Sequence, residues 1–240
     1  MPRAVPPRAS GSDTILTMTV PGRREAAQLL LSLEPSPKFL RHACAVADVA
    51  AWLAWRAAAN GRAVDRRLAE TAALLHDVDK LASVATPAHL RHGEGSAAWL
   101  EANGYPELAP VVRDHPVTRL AEPGHDGWWQ TAPLEARIVA YADKRAAQHL
   151  SPMEARFARW RRKYPPGSAT PVRRTGGAAW TEEVFELSEE RARLLEREVC
   201  AAAGARPDEV RRLRWSRRAI RAARAGGPGP AAREIPANRP

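Results

Sequence analysis

The stretch AALLHDVDK does more than any other to limit what this chain can fold into. It sets His76 beside Asp77 at the end of an apolar helical run. It also stands in an ordered series: His42, His76 with Asp77, His92, His115, then Asp143. All but His92 fall within or at the end of a segment that reads as helix. Imidazoles and carboxylates in that number make the ligand inventory of a two-metal site, and they count only if distant helices bring them together.

The local signals predict an all-α chain. Hydrophobic residues make up 45% of it, enough for a sizeable core, and strand-length runs of Val and Ile are absent. A short helix is expected around residues 25–33. Ser36-Pro37 marks the next start, with Ser at the N-cap and Pro in the first turn. From there His42, Val46, Val49 and Leu53 share one stripe, which turns His42 toward the core. Asn60-Gly61 stops that helix. Asp65 caps another, which passes Leu68, Ala72 and Leu75 to reach His76-Asp77.

Thr86-Pro87 then breaks the chain. A helix is expected from Gly93 to about residue 102, and Pro106 opens one carrying Leu108, Val111, Val112 and His115. Pro116 ends it and leaves His115 at a helix C-terminus. Residues 117–132 read as loop, and Pro133 opens a helix through residue 148 that contains Asp143. Ser151, Pro152 and Glu154 have the pattern of a capping box. Residues 166–180 read as a linker, followed by helices near 181–203 and 207–224. Residues 1–22 and 226–240 are expected to be disordered, and Met18 is an alternative start.

The formal net charge of +10 invites a nucleic-acid reading. Residues 206–240 hold ten Arg against Asp208, Glu209 and Glu234; ten less three leaves +7 of the charge in the tail. Its helix, EVRRLRWSRRAIRAARA, has Val210, Leu213 and Ile220 on one side. Nucleic acid or anionic lipid would suit its arginines, but a partner helix or a solvated face is the simpler expectation. Cys44 and Cys200 form no CxxC, which argues against a disulfide framework and for a cytoplasmic protein. No apolar run reaches the roughly 20 residues of a membrane span.

Adjacent helical residues point about 100° apart. His76 and Asp77 therefore share one centre only if it lies off the helix end or if two ions flank the pair. Asp77 has two oxygens and can bridge. One ion would take His42, His76, Asp77 and Asp143; the second would take Asp77, His92 and His115. This donor set suits Fe, Mn or Co, with Zn or Mg possible. Two ions about 3.5–4 Å apart can hold a bridging hydroxide and clamp a phosphoryl oxygen. Asp77 and Lys80 are the catalytic candidates, with Lys80 meeting a phosphate oxygen as a point charge. Lys144, Arg145 and Trp128 are further substrate-binding candidates.

Blander readings compete. A lone His on an apolar face is more often a core residue, and His92 and His115 each sit at a helix boundary where His is ordinary. His125-Asp126 repeats the key dipeptide between Pro123-Gly124 and Gly127, in a loop with no helix to orient it. His89 and His149 have only proximity in their favour. Trp128-Trp129 reads as an aromatic lid or, more simply, as a loop anchor. Trp52, Trp55 and Trp99 read as packing residues.

The segments KFLRHACAVADVA, AALLHDVDK, RHG, VVRDH and VAYADKR resemble, in this order, the motifs of the HD-domain superfamily of metal-dependent phosphohydrolases. His92 and His115 resemble the added ligands of its binuclear branch, such as the bacterial HD proteins that hydrolyse dinucleoside tetraphosphates. The resemblance spans about residues 24–165. It implies an all-α HD-domain bundle of five or more helices around the metals, here with a C-terminal helical extension at 181–225. It also implies hydrolysis of a nucleotide or another small phosphorylated metabolite. Two alternatives stay open: an oxygen-activating di-iron protein, and a regulatory or nucleic-acid-binding module on the same scaffold. Many relatives read HDIGK where this chain reads HDVDK. Asp79 is expected to pair with Lys80 and blunt its phosphate role.

Overall fold

Alanine dominates the longest apolar segment, and that choice decides how the helices assemble. The computed structural model of the chain describes residues 20–167 and 180–226. Among these residues every regular element is helical: α1 (Arg23–Ser32), α2 (Pro37–Ala59), α3 (Arg66–Leu75), α4 (Glu94–Ala102), α5 (Ala109–Arg113), α6 (Trp128–Thr131), α7 (Leu134–Arg145), α8 (Met153–Lys163), α9 (Glu182–Ala203) and α10 (Trp215–Ala225). Single 3-10 turns span Val78–Lys80, Val117–Ala121 and Pro207–Glu209. From Ala43 to Ala54 every residue of α2 is buried. A helix buried on every face belongs in the middle of a bundle, and α3, α7, α9 and α10 pack around it.

Local chemistry sets the helix ends. Ser36 Oγ accepts the Phe39 amide at 3.2 Å, and Asp65 Oδ1 accepts that of Leu68 at 3.0 Å. Thr181 does the same for Val184 at 3.2 Å. Gly61 follows α2 with φ +74°, a conformation that glycine adopts without steric cost. Cys44 and Cys200 are free and buried. Trp52 and Trp99 are buried as expected, whereas Trp55 stays exposed.

Several expected boundaries move. The helix expected from Pro106 begins only at Ala109, after a run of turns. Residues 117–132 carry a 3-10 turn and α6 rather than plain loop. No capping box forms at Ser151: its amide bonds to Arg145 O at 2.7 Å, and α8 starts at Met153 after Pro152. The expected helix over 207–224 is divided, because Arg214 takes a φ of +52° and α10 starts after it. That division separates the anticipated apolar stripe. Val210 is buried and Leu213 exposed.

The apolar face of α10 is instead Trp215, Ala219, Ile220 and Ala223, packed against α1 and α2. Asp48, fully buried in α2, accepts the Ser216 amide at 3.1 Å, and the indole of Trp215 donates to Ala47 O at 3.1 Å. The apolar face of this arginine-rich helix thus packs on its own chain. In the same way α9 brings Phe185, Leu195 and Val199 into the core that α2 organises. No described helix is long and apolar enough to cross a membrane. Most of the expected disordered termini and of the expected linker lie outside the described residues.

Candidate metal centre

Five segments deliver the six anticipated ligands to one place. His42 comes from the first turns of α2, His76 and Asp77 from the end of α3, and Asp143 from α7. His92 precedes α4, and His115 follows α5. Asp77 joins the four imidazoles. Its Oδ2 lies 3.3 Å from His42 Nε2, while its Oδ1 lies 3.5 Å from His76 Nε2 and 3.2 Å from both His92 Nε2 and His115 Nε2. Asp143 Oδ1 is 3.4 Å from His42 Nε2 and 3.7 Å from His76 Nε2. His76, Asp77 and His115 are almost wholly buried.

The outer ring nitrogens explain why these imidazoles face inward. Nδ1–H of His42 donates to Ala147 O at 2.7 Å, that of His76 to Ala73 O at 2.8 Å, and that of His115 to Val112 O at 2.6 Å. His92 Nδ1 is 3.0 Å from both oxygens of Asp79. Each acceptor fixes the tautomer, and the inner Nε2 is left with its lone pair. This is where the helix end matters. A helix-terminal carbonyl three residues back has no partner within the helix, and it takes the imidazole proton at both Ala73 and Val112.

The electrostatics are those of a site short of positive charge. His115 Nε2, His92 Nε2 and Asp77 Oδ1 form a triangle with three 3.2 Å edges. A single proton satisfies one edge; a cation with nitrogen and oxygen preference satisfies all three corners. His76 Nε2 is buried with no hydrogen-bond partner among the described residues. These features fit divalent ions, and the groups His42–His76–Asp143 and His76–Asp77–His115 are each close enough to hold one.

Burial opposes charge on Asp77, but His76, Lys80, His115 and His42 hold its carboxyl well below the usual range. Asp143 is lowered likewise against burial, by His42 and His76. Burial would lower His42, yet Asp143 and Asp77 outweigh it and raise it to about 9. Burial, with His92 and His76 adding to it, pushes His115 down to about 4 despite Asp77.

The remaining anticipated residues divide. Lys80 is exposed at the site and grips both Asp77 oxygens, at 2.9 and 3.0 Å. Its expected pairing with Asp79 is a correction. Asp79 turns the other way, to His92 and to the Gly93 amide at 2.8 Å.

Lys144 and Arg145 also require correction. They follow Asp143 on α7 by about 100° and 200°, so they point away from it. Lys144 is fully buried, donates to His115 O at 2.8 Å and Ala140 O at 3.2 Å, and is lowered to about 8 by burial. Arg145 is buried against Tyr141, Glu196 and the carbonyls of Ser151 and Pro207. Both brace the fold. Trp128 is half-buried against the core on α6, outside the cavity beside the ligands. His89 and His149 are exposed and join nothing at the centre.

A cavity of about 530 Å³ opens on the cluster, reaching His42, Asp77, His92 and Asp143. Its far side comes from residues that the sequence reading passed over. Arg156, Arg159, Trp160 and Lys163 of α8 line it, together with Lys38 and Phe39 of α2. The four from α8 follow i, i+3, i+4, i+7 spacing, one face of a helix. That spacing is legible in ARFARWRRK, where it reads first as packing. Counting Lys80, five cationic side chains surround the opening, against the carboxylates of Asp77 and Asp143.

Fold and cluster together define a helical bundle built around a buried His/Asp centre. Comparison with protein families agrees: residues 39–148 match the model of the HD domain. The matched span contains all six clustered residues. No curated protein and no solved structure matches the chain.

Proposed function

We propose that this protein is a metal-dependent phosphohydrolase acting on a nucleotide or another small phosphorylated metabolite, with two divalent transition-metal ions per chain. His42, His76, Asp77 and Asp143 would hold one ion, and Asp77, His92 and His115 the other. Ions bound there would acidify a water and draw charge from a phosphoryl oxygen. The observation that carries this reading is the inward convergence of four anchored imidazoles on Asp77, beside a cavity ringed by cations.

The residues divide the work. Asp77 presents Oδ2 to His42 and Oδ1 to the other three imidazoles, the disposition that a bridging carboxylate needs. The backbone and Asp79 acceptors engage each Nδ1 and aim every Nε2 inward. Lys80 stands at the opening, where its ammonium can meet a phosphoryl oxygen. Arg159 and Lys163, exposed on α8, are suited to anionic groups away from the reacting phosphorus. The same five cations suit a substrate that carries phosphate.

The test is phosphate release from nucleotides, dinucleoside polyphosphates and a generic phosphomonoester, with Mn, Fe or Co and with chelator. Turnover should need metal. In Arg159→Ala and Lys163→Ala, KM should rise about tenfold, the worth of roughly 1.4 kcal/mol of binding, with kcat little changed. Absence of metal-dependent release from every compound would overturn the proposal.

A further inference from the structure

Asp79, in the HDVDK turn, faces away from the cavity that Asp77 and Lys80 line. Its side chain is nearly buried and accepts twice. His92 Nδ1 lies 3.0 Å from each of its oxygens, and the Gly93 amide donates to Oδ2 at 2.8 Å. Its own amide donates to Ser96 Oγ of α4 at 3.2 Å. The turn after His76-Asp77 is thereby tied to the segment that brings in His92. The surroundings are shaped for this carboxylate. A Cβ on Gly95 would fall 2.9 Å from Asp79 Cβ and 3.2 Å from its Oδ2, and Gly95 has none.

We infer that Asp79 is the positioning residue of the second metal site: it holds His92 in the Nδ1–H tautomer and aims Nε2 at the triangle with His115 and Asp77. A close cluster of Asp77, Asp79 and His92 invites a different reading, with Asp79 as a ligand. The hydrogen bonds decide against it. Both Asp79 oxygens face the outer nitrogen of His92, whereas Asp77 faces the inner one at 3.2 Å. A carboxylate behind a ligating imidazole raises its basicity and fixes its plane, and losing one weakens metal binding by about 10- to 100-fold. Among the described residues no other imidazole of the cluster has a carboxylate behind it; His42, His76 and His115 all lean on backbone carbonyls. This inference rests on the two-ion reading above.

The experiment is titration of the metal-free protein with Co²⁺, followed by its visible absorption and by metal content per chain. In Asp79→Gly the weaker-bound ion should lose about 10- to 100-fold in affinity and the tighter one should keep its own. Asp79→Asn retains an oxygen for the Gly93 amide but loses the charge behind His92. It should fold as the parent does and lose affinity by a smaller factor, which a role confined to holding α4 would not produce. His92→Ala separates the two levels of argument. If the wild type binds a single ion and His92→Ala leaves it unchanged, the two-ion reading fails. If the wild type binds a second ion that needs His92, yet Asp79→Gly and Asp79→Asn bind it unchanged, this inference alone is overturned.

Discussion

His76-Asp77 closes a buried helix, whereas His125-Asp126 lies in a turn at the surface, and the same two letters do different work in the two places. His76 finds the free carbonyl of Ala73 behind it, and Asp77 is ringed by three further imidazoles and Lys80. His125 has Asp114 at 3.3 Å, and Asp114 is already engaged by Arg119 at 2.8 Å. Asp126 is largely exposed and pairs with Arg191. The dipeptide carries no chemistry of its own. What matters is an acceptor behind the ring and other ligands in front of it, and both come from helix geometry.

Three measurements can break or sharpen that contrast. The largest effect belongs to Asp77→Asn, which removes the charge that every imidazole shares. Metal-dependent turnover should fall about 10³-fold, the scale for losing a preorganised electrostatic group, and at least one ion should be lost per chain. Unchanged metal content in Asp77→Asn would place the centre elsewhere.

Next comes pH. His42 in the metal-free protein is raised to about 9, so below that value a proton competes with metal at Nε2. Affinity for the ion at His42 should climb about tenfold per pH unit up to pH 9 and then level off, readable in metal-binding isotherms. The sign reverses for the stability of the metal-free protein. The raised value contributes stability that is full below the ordinary 6.5 and is lost as pH rises through about 9. A flat affinity profile between pH 6 and 9 would contradict this.

The smallest effect belongs to the surface pair. Asp126→Ala should alter stability by less than about 1 kcal/mol, the range of exposed ion pairs, and leave metal content intact. Thermal denaturation and metal analysis read both. A lost ion would erase the distinction between the two dipeptides.

Much of the architecture was legible because it is local. Ser36, Asp65 and Thr181 cap the helices that they head, and the spacing of His42, Val46, Val49 and Leu53 turns His42 inward. The series of six candidate ligands was also legible, since all but His92 stand on a helix or at its end. Two kinds of information were not. The role of Asp79 depends on how residues 81–91 return the chain to His92, and that path is set by packing rather than periodicity. The α8 face shows its spacing openly, but only the assembled bundle reveals that the face looks onto a cavity. Lys144 and Arg145 misled for a simpler reason. Neighbours in sequence on a helix are not neighbours in space.

The packing of α10 on α1 has a consequence in time. Residues 23–32 and 215–225 meet although nearly the whole described chain separates them. Contacts of short span, such as α2 with α3, can form early, whereas this joint must wait until the intervening chain has been gathered in. The head of α10 is held in turn by a buried carboxylate of α2, Asp48, which receives the Ser216 amide. In the folded protein that joint covers one face of α1, while α3 covers another.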